Sequence, residues 1–280
     1  MDGAVTVRAA DPAQPRPLIV TIYGLYAREV GGLISVSALI KLMARLDVDE
    51  PSVRSATSRL KRRGLLDARR VDGAAAYGLS AQAREVLDEG DQRIFGRRRA
   101  ELADGWLLAV FSVPESERRQ RHLLRSRLTW LGFGTTASGV WIAPRRLYEE
   151  TREVLERHGL SAYVDLFHAD YLAFDDVGEL VGQWWDLAGL HGLYEEFLDA
   201  FRPMLTRWRR RRTDDDAEAF GDYVRALTAW RRLPFLDPGL PPELLPPNWP
   251  GVRAAALFDE LRDRLTTPAH RFAGPVIGRP

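Results

Sequence analysis

The chain has 280 residues, 45% of them hydrophobic and eight of them Trp, which excludes a mostly disordered protein. It has no cysteine, which excludes disulfides, thiolate catalysis and Cys-ligated metal. No apolar run reaches the about 18 residues of a membrane span, and the polar start (1–16) lacks the apolar core of a signal peptide, so a cytoplasmic location without membrane contact is expected.

Charge is nearly balanced, 40 basic against 39 acidic residues, but it is unevenly placed. Residues 1–99 carry 17 basic and 12 acidic groups, and the remainder carries 23 and 27. The excess peaks in residues 51–70, where Arg54, Arg59, Lys61, Arg62, Arg63, Arg69 and Arg70 face a single acid, Asp67. Such asymmetry suggests a basic binding module joined to an acidic body.

Residues 17–30, "PLIVTIYGLYAREV", place Leu18, Ile22, Leu25 and Tyr26 at helical spacing, and Gly31-Gly32 ends that helix. "SVSALIKLMARL" follows, with Leu39, Ile40, Met43 and Leu46 on one stripe. A short link leads to a third helix, with Asp49 as its cap, Pro51 in its first turn and Gly64 as its stop. On a wheel at about 100° per residue, Val53, Ala56, Thr57 and Leu60 form its core face. Ser55, Ser58, Arg59 and Arg62 fall opposite, flanked by Arg54 and Lys61. Short hydroxyls between guanidinium groups suit a helix lying in a DNA major groove. "GLLDARR" and "AAAYGLS" then read as two strands joined at Asp72-Gly73, with Arg69 and Arg70 on the hairpin, and Ser80 caps a further helix. Helix, tight turn, helix and hairpin make a winged helix-turn-helix. A charge run by itself is better explained by a solvated helix face; here spacing, turns and hairpin agree on DNA.

Beyond an Arg-rich joint the period changes. "WLLAVFSV" reads as a strand, "ESERRQRHLLRSRLTWLG" as a helix with Leu124, Leu128 and Leu131 inward, "FGTTASGVWIAP" as two strands about Ser138-Gly139, "RRLYEETREVLERHG" as a helix and "SAYVDLFHA" as a strand. The order βαββαβ is the ferredoxin-like plan. Gly132-Phe133-Gly134 imitates a dinucleotide fingerprint but precedes a strand where that motif opens a helix. From Asp175 onward the chain reads as helical, with apolar stripes Leu187, Leu190, Tyr194, Phe197, Phe201 and Phe220, Tyr223, Leu227, Trp230. Each stripe suits either internal packing or a contact between subunits. The Pro-rich "LPFLDPGLPPELLPPNWPG" is expected to cross the surface before a last helix. The fold class expected is therefore α+β: an N-terminal winged helix-turn-helix over 17–95, a central ferredoxin-like domain over 96–174 and a C-terminal α-helical domain over 175–280.

The segments "VRSATSRLKRRGLL", "RHLLRSRLTWLGFG", "GVWIAP", "WDLAGLHGLYEEFLDAF" and "LDPGLPPELLPPNWPG", in that order and spacing, resemble the phenylacetic-acid degradation repressors, the PaaX family. The resemblance implies a winged helix, a central domain similar to a CRISPR-associated nuclease domain, and a helical C-terminal domain. It implies a homodimer that binds double-stranded operator DNA, represses a phenylacetate-type catabolic operon and is released by an aryl-CoA thioester such as phenylacetyl-CoA. Such a ligand needs Arg or Lys for its phosphates and an apolar pocket for its acyl group. Arg118, Arg121 and Arg125, with Trp184 and Trp185, are candidates, the alternative being surface ion pairs and core packing. The rival from another class is a metal-dependent nuclease, which needs an acidic ligand near the end of the first central strand. Ser112 stands there, and the five His are scattered. No HExxH or GxSxG motif occurs, so no catalysis, metal or cofactor is expected.

Overall fold

The structure is a computed structural model and describes residues 14–28, 31–71, 73–96, 98–172, 174–211 and 215–278. It is a mixed α+β chain, mostly helical, with two antiparallel sheets. The chain forms two compact units, Met1–Asp91 with Phe197–Trp230 and Arg253–Pro280, and Gln92–Glu196 with Arg231–Val252.

In the first unit, α1 (Pro15–Ile22) starts on proline and passes into a wider π turn, Tyr23–Ala27. β1 (Leu33–Ser35), α2 (Val36–Ala44) and α3 (Glu50–Arg62) follow, then β2 (Leu66–Val71), β3 (Ala74–Leu79) and α4 (Ala81–Phe95). The Ser35 hydroxyl accepts from the Ala38 N–H (3.1 Å), and the Ser80 hydroxyl from the Ala83 N–H (3.1 Å), so both helix starts are capped as their sequences call for. β1, only three residues long, gives no alternation to read in the sequence, yet it pairs antiparallel with β3 and sets the order β1-β3-β2. On α2 the buried stripe is Ala38, Leu39, Leu42, Met43; Ile40, expected inside, lies half-buried. The same unit holds the second part of α8 (Leu187–Arg210), α9 (Asp216–Trp230) and most of α11 (Pro250–Ile277). Phe220 lies between Tyr26 and Phe272, with ring centroids 5.5 and 5.3 Å away. Thr21 and Thr228 share a buried hydroxyl hydrogen bond of 2.7 Å.

The second unit runs β4 (Trp106–Phe111), α5 (Arg118–Trp130), β5 (Gly134–Ala137), β6 (Val140–Pro144), α6 (Tyr148–Arg157) and β7 (Val164–Ala169). Its sheet has the order β5-β6-β4-β7, all antiparallel. Alternation along β4 sends Leu107 and Ala109 to the core formed with Leu124, Leu128 and Leu131, and turns Trp106 to the other face. There Trp106 meets Trp184 at the end of α7 (Val177–Trp184), and Trp185.

One open alternative is decided and one expectation is corrected. The aromatic stripes are internal: Tyr194, Phe197, Phe220, Tyr223, Leu227 and Trp230 are all buried, and Trp230 stacks on Phe258 at 4.9 Å. The Pro-rich segment, which includes the short helix α10 (Leu233–Leu236), does not merely cross the surface, since Leu240, Leu244 and Trp249 are buried. Prolines bring no N–H to satisfy. The segment's buried carboxylate, Asp237, accepts from the Tyr194 hydroxyl (2.8 Å) and the Gly239 N–H (2.7 Å) and pairs with Arg99 (3.4 Å).

Candidate nucleic-acid interface

One side of α3 is fixed. Val53, Ala56, Thr57 and Leu60 are buried as it packs on α1 and α2, and the Thr57 hydroxyl is satisfied by the Val53 carbonyl (2.7 Å). The Asp49 carboxylate caps the helix, accepting from the Ser52 N–H (2.7 Å) and the Ser52 hydroxyl (3.0 Å). Those bonds, the backbone one foremost, hold its pKa below the usual carboxylate range. Gly64, at φ 71°, ends the helix in a conformation that penalises a side chain.

The opposite side is left to solvent: Arg54, Ser55, Ser58, Arg59, Lys61 and Arg62 are all exposed. Their charges are not equivalent. Arg54 is held by Glu50 at 2.7 Å, an i,i+4 pair on the same helix. Arg59, Lys61, Arg62 and Arg63 have no acidic partner among the described residues. A guanidinium already on a carboxylate must leave it to meet a phosphate, whereas an unpaired one gives up only water. The charge available on this face is thus concentrated in the C-terminal half of α3. Arg63 is part of it, although the helical wheel leaves it out because it falls at the cap.

Beside α3 stands the β2–β3 hairpin. Its register places Arg69 opposite Ala76 and Arg70 opposite Ala75, so no bulky neighbour screens either side chain. Val71 pairs with Ala74, leaving a two-residue turn; Asp72 lies outside the described residues, and Gly73 has φ 80°. Arg69 is 3.6 Å from Asp67 and Arg70 donates to the Gly73 carbonyl at 3.4 Å; both partners are exposed and both contacts long, so neither strongly holds its arginine. Tyr23 ties α1 to this sheet by donating to the Tyr77 carbonyl (3.0 Å), and burial pushes its phenol pKa up.

The effector candidates are placed differently. Arg118 and Arg121 both pair with Glu115 (2.5 and 2.9 Å), and Arg121 also donates to the Val113 carbonyl (2.7 Å). Arg125 is exposed on the same helix, α5. Trp184 and Trp185 lie with Trp106 on the opposite face of the sheet, and the Trp185 indole N–H donates to the Gly132 carbonyl (2.9 Å). With β4 between them, the arginines and the tryptophans do not converge on one cavity. Among the described residues no three His, Asp or Glu side chains are grouped to hold a metal ion, and no helix is long and apolar enough to cross a membrane.

Three family models match successive stretches of the chain. One described as "PaaX-like protein" matches residues 14–83, "PaaX protein central Cas2-like domain" matches 99–181, and "PaaX-like protein C-terminal domain" matches 185–274. The chain belongs to the PaaX family. It is 27% identical over 270 residues to the transcriptional repressor PaaX of Escherichia coli K12, covering 94% of this chain and 84% of that protein. Among solved structures it is similar to the uncharacterized protein Rv0674 from Mycobacterium tuberculosis, with a TM-score of 0.59, 24% identity, and 94% and 99% of the two chains covered.

Proposed function

We propose that this chain is a transcriptional regulator that binds double-stranded operator DNA, and that its action is repression. The reading is supported by kinship with a named repressor and carried by one observation: α3 turns unpaired Arg59, Lys61, Arg62 and Arg63 outward while its apolar side is locked in place. Residues 17–95 act as a winged helix-turn-helix, with α3 in the major groove and the hairpin as the wing. Arg59 and Arg62, with Ser55 and Ser58, face base edges, and Arg54, Lys61, Arg69 and Arg70 serve the backbone. Residues 96–174 form a ferredoxin-like domain without catalysis, for which the strand order β5-β6-β4-β7 is the support, and residues 175–280 the helical part. The site of action is the cytoplasm.

The regulator works as a homodimer, because one winged helix offers few base contacts and tight specific binding needs two half-sites. With the aromatic stripes buried, we assign the contact to the β7 edge, where Phe167, Leu172 and Phe174 are 51%, 91% and 102% exposed. An aryl-CoA thioester such as phenylacetyl-CoA releases it from the operator of an aromatic-acid catabolic operon by binding the DNA-incompetent form more tightly. The test is selection of duplexes from a random pool, followed by solution mass and affinity with and without phenylacetyl-CoA. A two-fold symmetric selected site, a dimer mass and weaker binding with the thioester are expected. Failure to enrich any sequence would overturn the reading.

A further inference from the structure

We propose that the groove between the start of α1 and α3 is a contact site that takes a DNA backbone phosphate at its Gln14–Arg16 wall, with Arg16 as its principal residue. The proposal rests on the DNA-binding reading and extends it to an element outside the reading helix and hairpin. The groove, about 580 Å³, is lined by Gln14, Arg16, Ser52, Ser55 and Arg59 among others. The Arg16 guanidinium and the Gln14 amide suit a phosphodiester, since Arg supplies forked charged donors and the amide N–H a neutral one, while Ser55 and Arg59 on the far wall are left to the base edges.

Among the described residues, no acid pairs with the cations of this site, Arg16 and Arg59. Of the two acids at this end of α3, Glu50 pairs with Arg54, while Asp49 accepts from the Ser52 N–H and hydroxyl at the rim of the groove, so the Ser52 hydroxyl proton is already given and Arg16 carries the charge that the site offers. Arg16 also does no service to its own helix. It sits in the first turn of α1, where the helix dipole disfavours a cation and where no acid is present to compensate. Pro15 and Pro17 flank it, and their locked φ angles hold the Arg16 backbone in one direction.

The spacing along α3 supplies the remaining reason. Ser52, Ser55, Arg59 and Arg62 lie on one stripe, and Ser52 to Arg62 spans about 15 Å of helix. The major groove is only about 12 Å wide. With Arg59 and Arg62 at base edges, the Ser52 end therefore reaches the groove wall, which is lined with phosphates, and Arg16 faces it there.

The experiment compares wild type with Arg16→Ala on a selected duplex and on random DNA, with melting temperature as the folding control. Arg16→Ala should weaken both complexes by the same factor. Its loss of affinity between about 50 and 200 mM salt should be smaller by about threefold, the equivalent of one phosphate contact. Neutral methylphosphonate replacements, walked along the duplex, should include one position that weakens wild type and leaves Arg16→Ala unchanged. Unchanged salt dependence, or every methylphosphonate harming both proteins alike, overturns the proposal. So does a site for small anions only, in which inorganic phosphate raises the melting temperature of wild type but not of Arg16→Ala while DNA affinity is equal. If Arg59→Ala and Arg62→Ala also bind normally, it is the DNA-binding reading itself that fails.

Discussion

Phe220→Ala probes whether the DNA-reading helix is held by the C-terminal helices. Phe220 is fully buried on α9, and its ring lies against Tyr26, just past α1, and Phe272 on α11. Removing a buried aromatic ring costs about 3–5 kcal/mol, because the transfer energy is lost and a cavity remains. At about 2–4 °C per kcal/mol for a chain of this size, the melting temperature should fall by about 10 °C. Because Tyr26 is 3% exposed and its surroundings include His270, 4.9 Å away, the cavity opens beneath the N-terminal helices as much as beneath α9. Hydrogen exchange should therefore accelerate in α1, α2 and α3 together with α9 and α11. Protection retained across residues 15–62 while α9 and α11 lose theirs would refute the single unit and show that the N-terminal elements hold themselves.

Three further outcomes follow from individual contacts. Arg54→Ala should weaken operator binding by no more than about threefold and Arg59→Ala by at least about tenfold, since only Arg54 is already occupied by a carboxylate; equal losses by fluorescence anisotropy would contradict that ordering. Arg69→Ala with Arg70→Ala should weaken specific and random DNA alike and flatten the salt slope by about one to two units; an unchanged slope would take the hairpin off the phosphates. Glu260, held by Arg209 (2.8 Å) and then Arg264 (3.0 Å), has its pKa pushed down from 4.5 to about 2. A depressed carboxylate stabilises the fold fully above its unfolded value and loses that effect as pH falls through the folded one. Wild type should therefore lose melting temperature relative to Glu260→Gln between pH 4.5 and about 2, by a small margin because the pair is largely exposed; parallel curves would contradict the shift.

Much of this was legible in the sequence because local chemistry and tertiary context agree. Asp49, Ser80 and Gly64 punctuate their helices as their residue types require, and α3 carries an apolar stripe that buries as spaced. What stayed hidden depends on partners far along the chain. β1 is three residues whose strand character comes only from pairing with β3. The stripes on α8 and α9 have the same periodicity whether the neighbour is this chain or a second copy, and only the fold shows Trp230 on Phe258. The Pro-rich segment is partly buried, and its Asp237 accepts from Tyr194, 43 residues away, a partner that no local pattern announces. At the interface, sequence placed the cations but not their pairing, so Arg54 and Arg59 looked alike. Arg16 carried no signal at all, since its groove exists only once α1 lies beside α3.

The most direct test of DNA recognition by α3 is the affinity of Arg59→Ala and Arg62→Ala for a selected duplex against random DNA, at one fixed salt concentration. Both side chains are exposed and unpaired, so the melting temperature should not change. Each substitution should cost about 1–3 kcal/mol on the selected duplex and much less on random DNA, so that the ratio between the two collapses toward one in the double variant. Folded variants that keep the full ratio would contradict the placement of this helix in the groove.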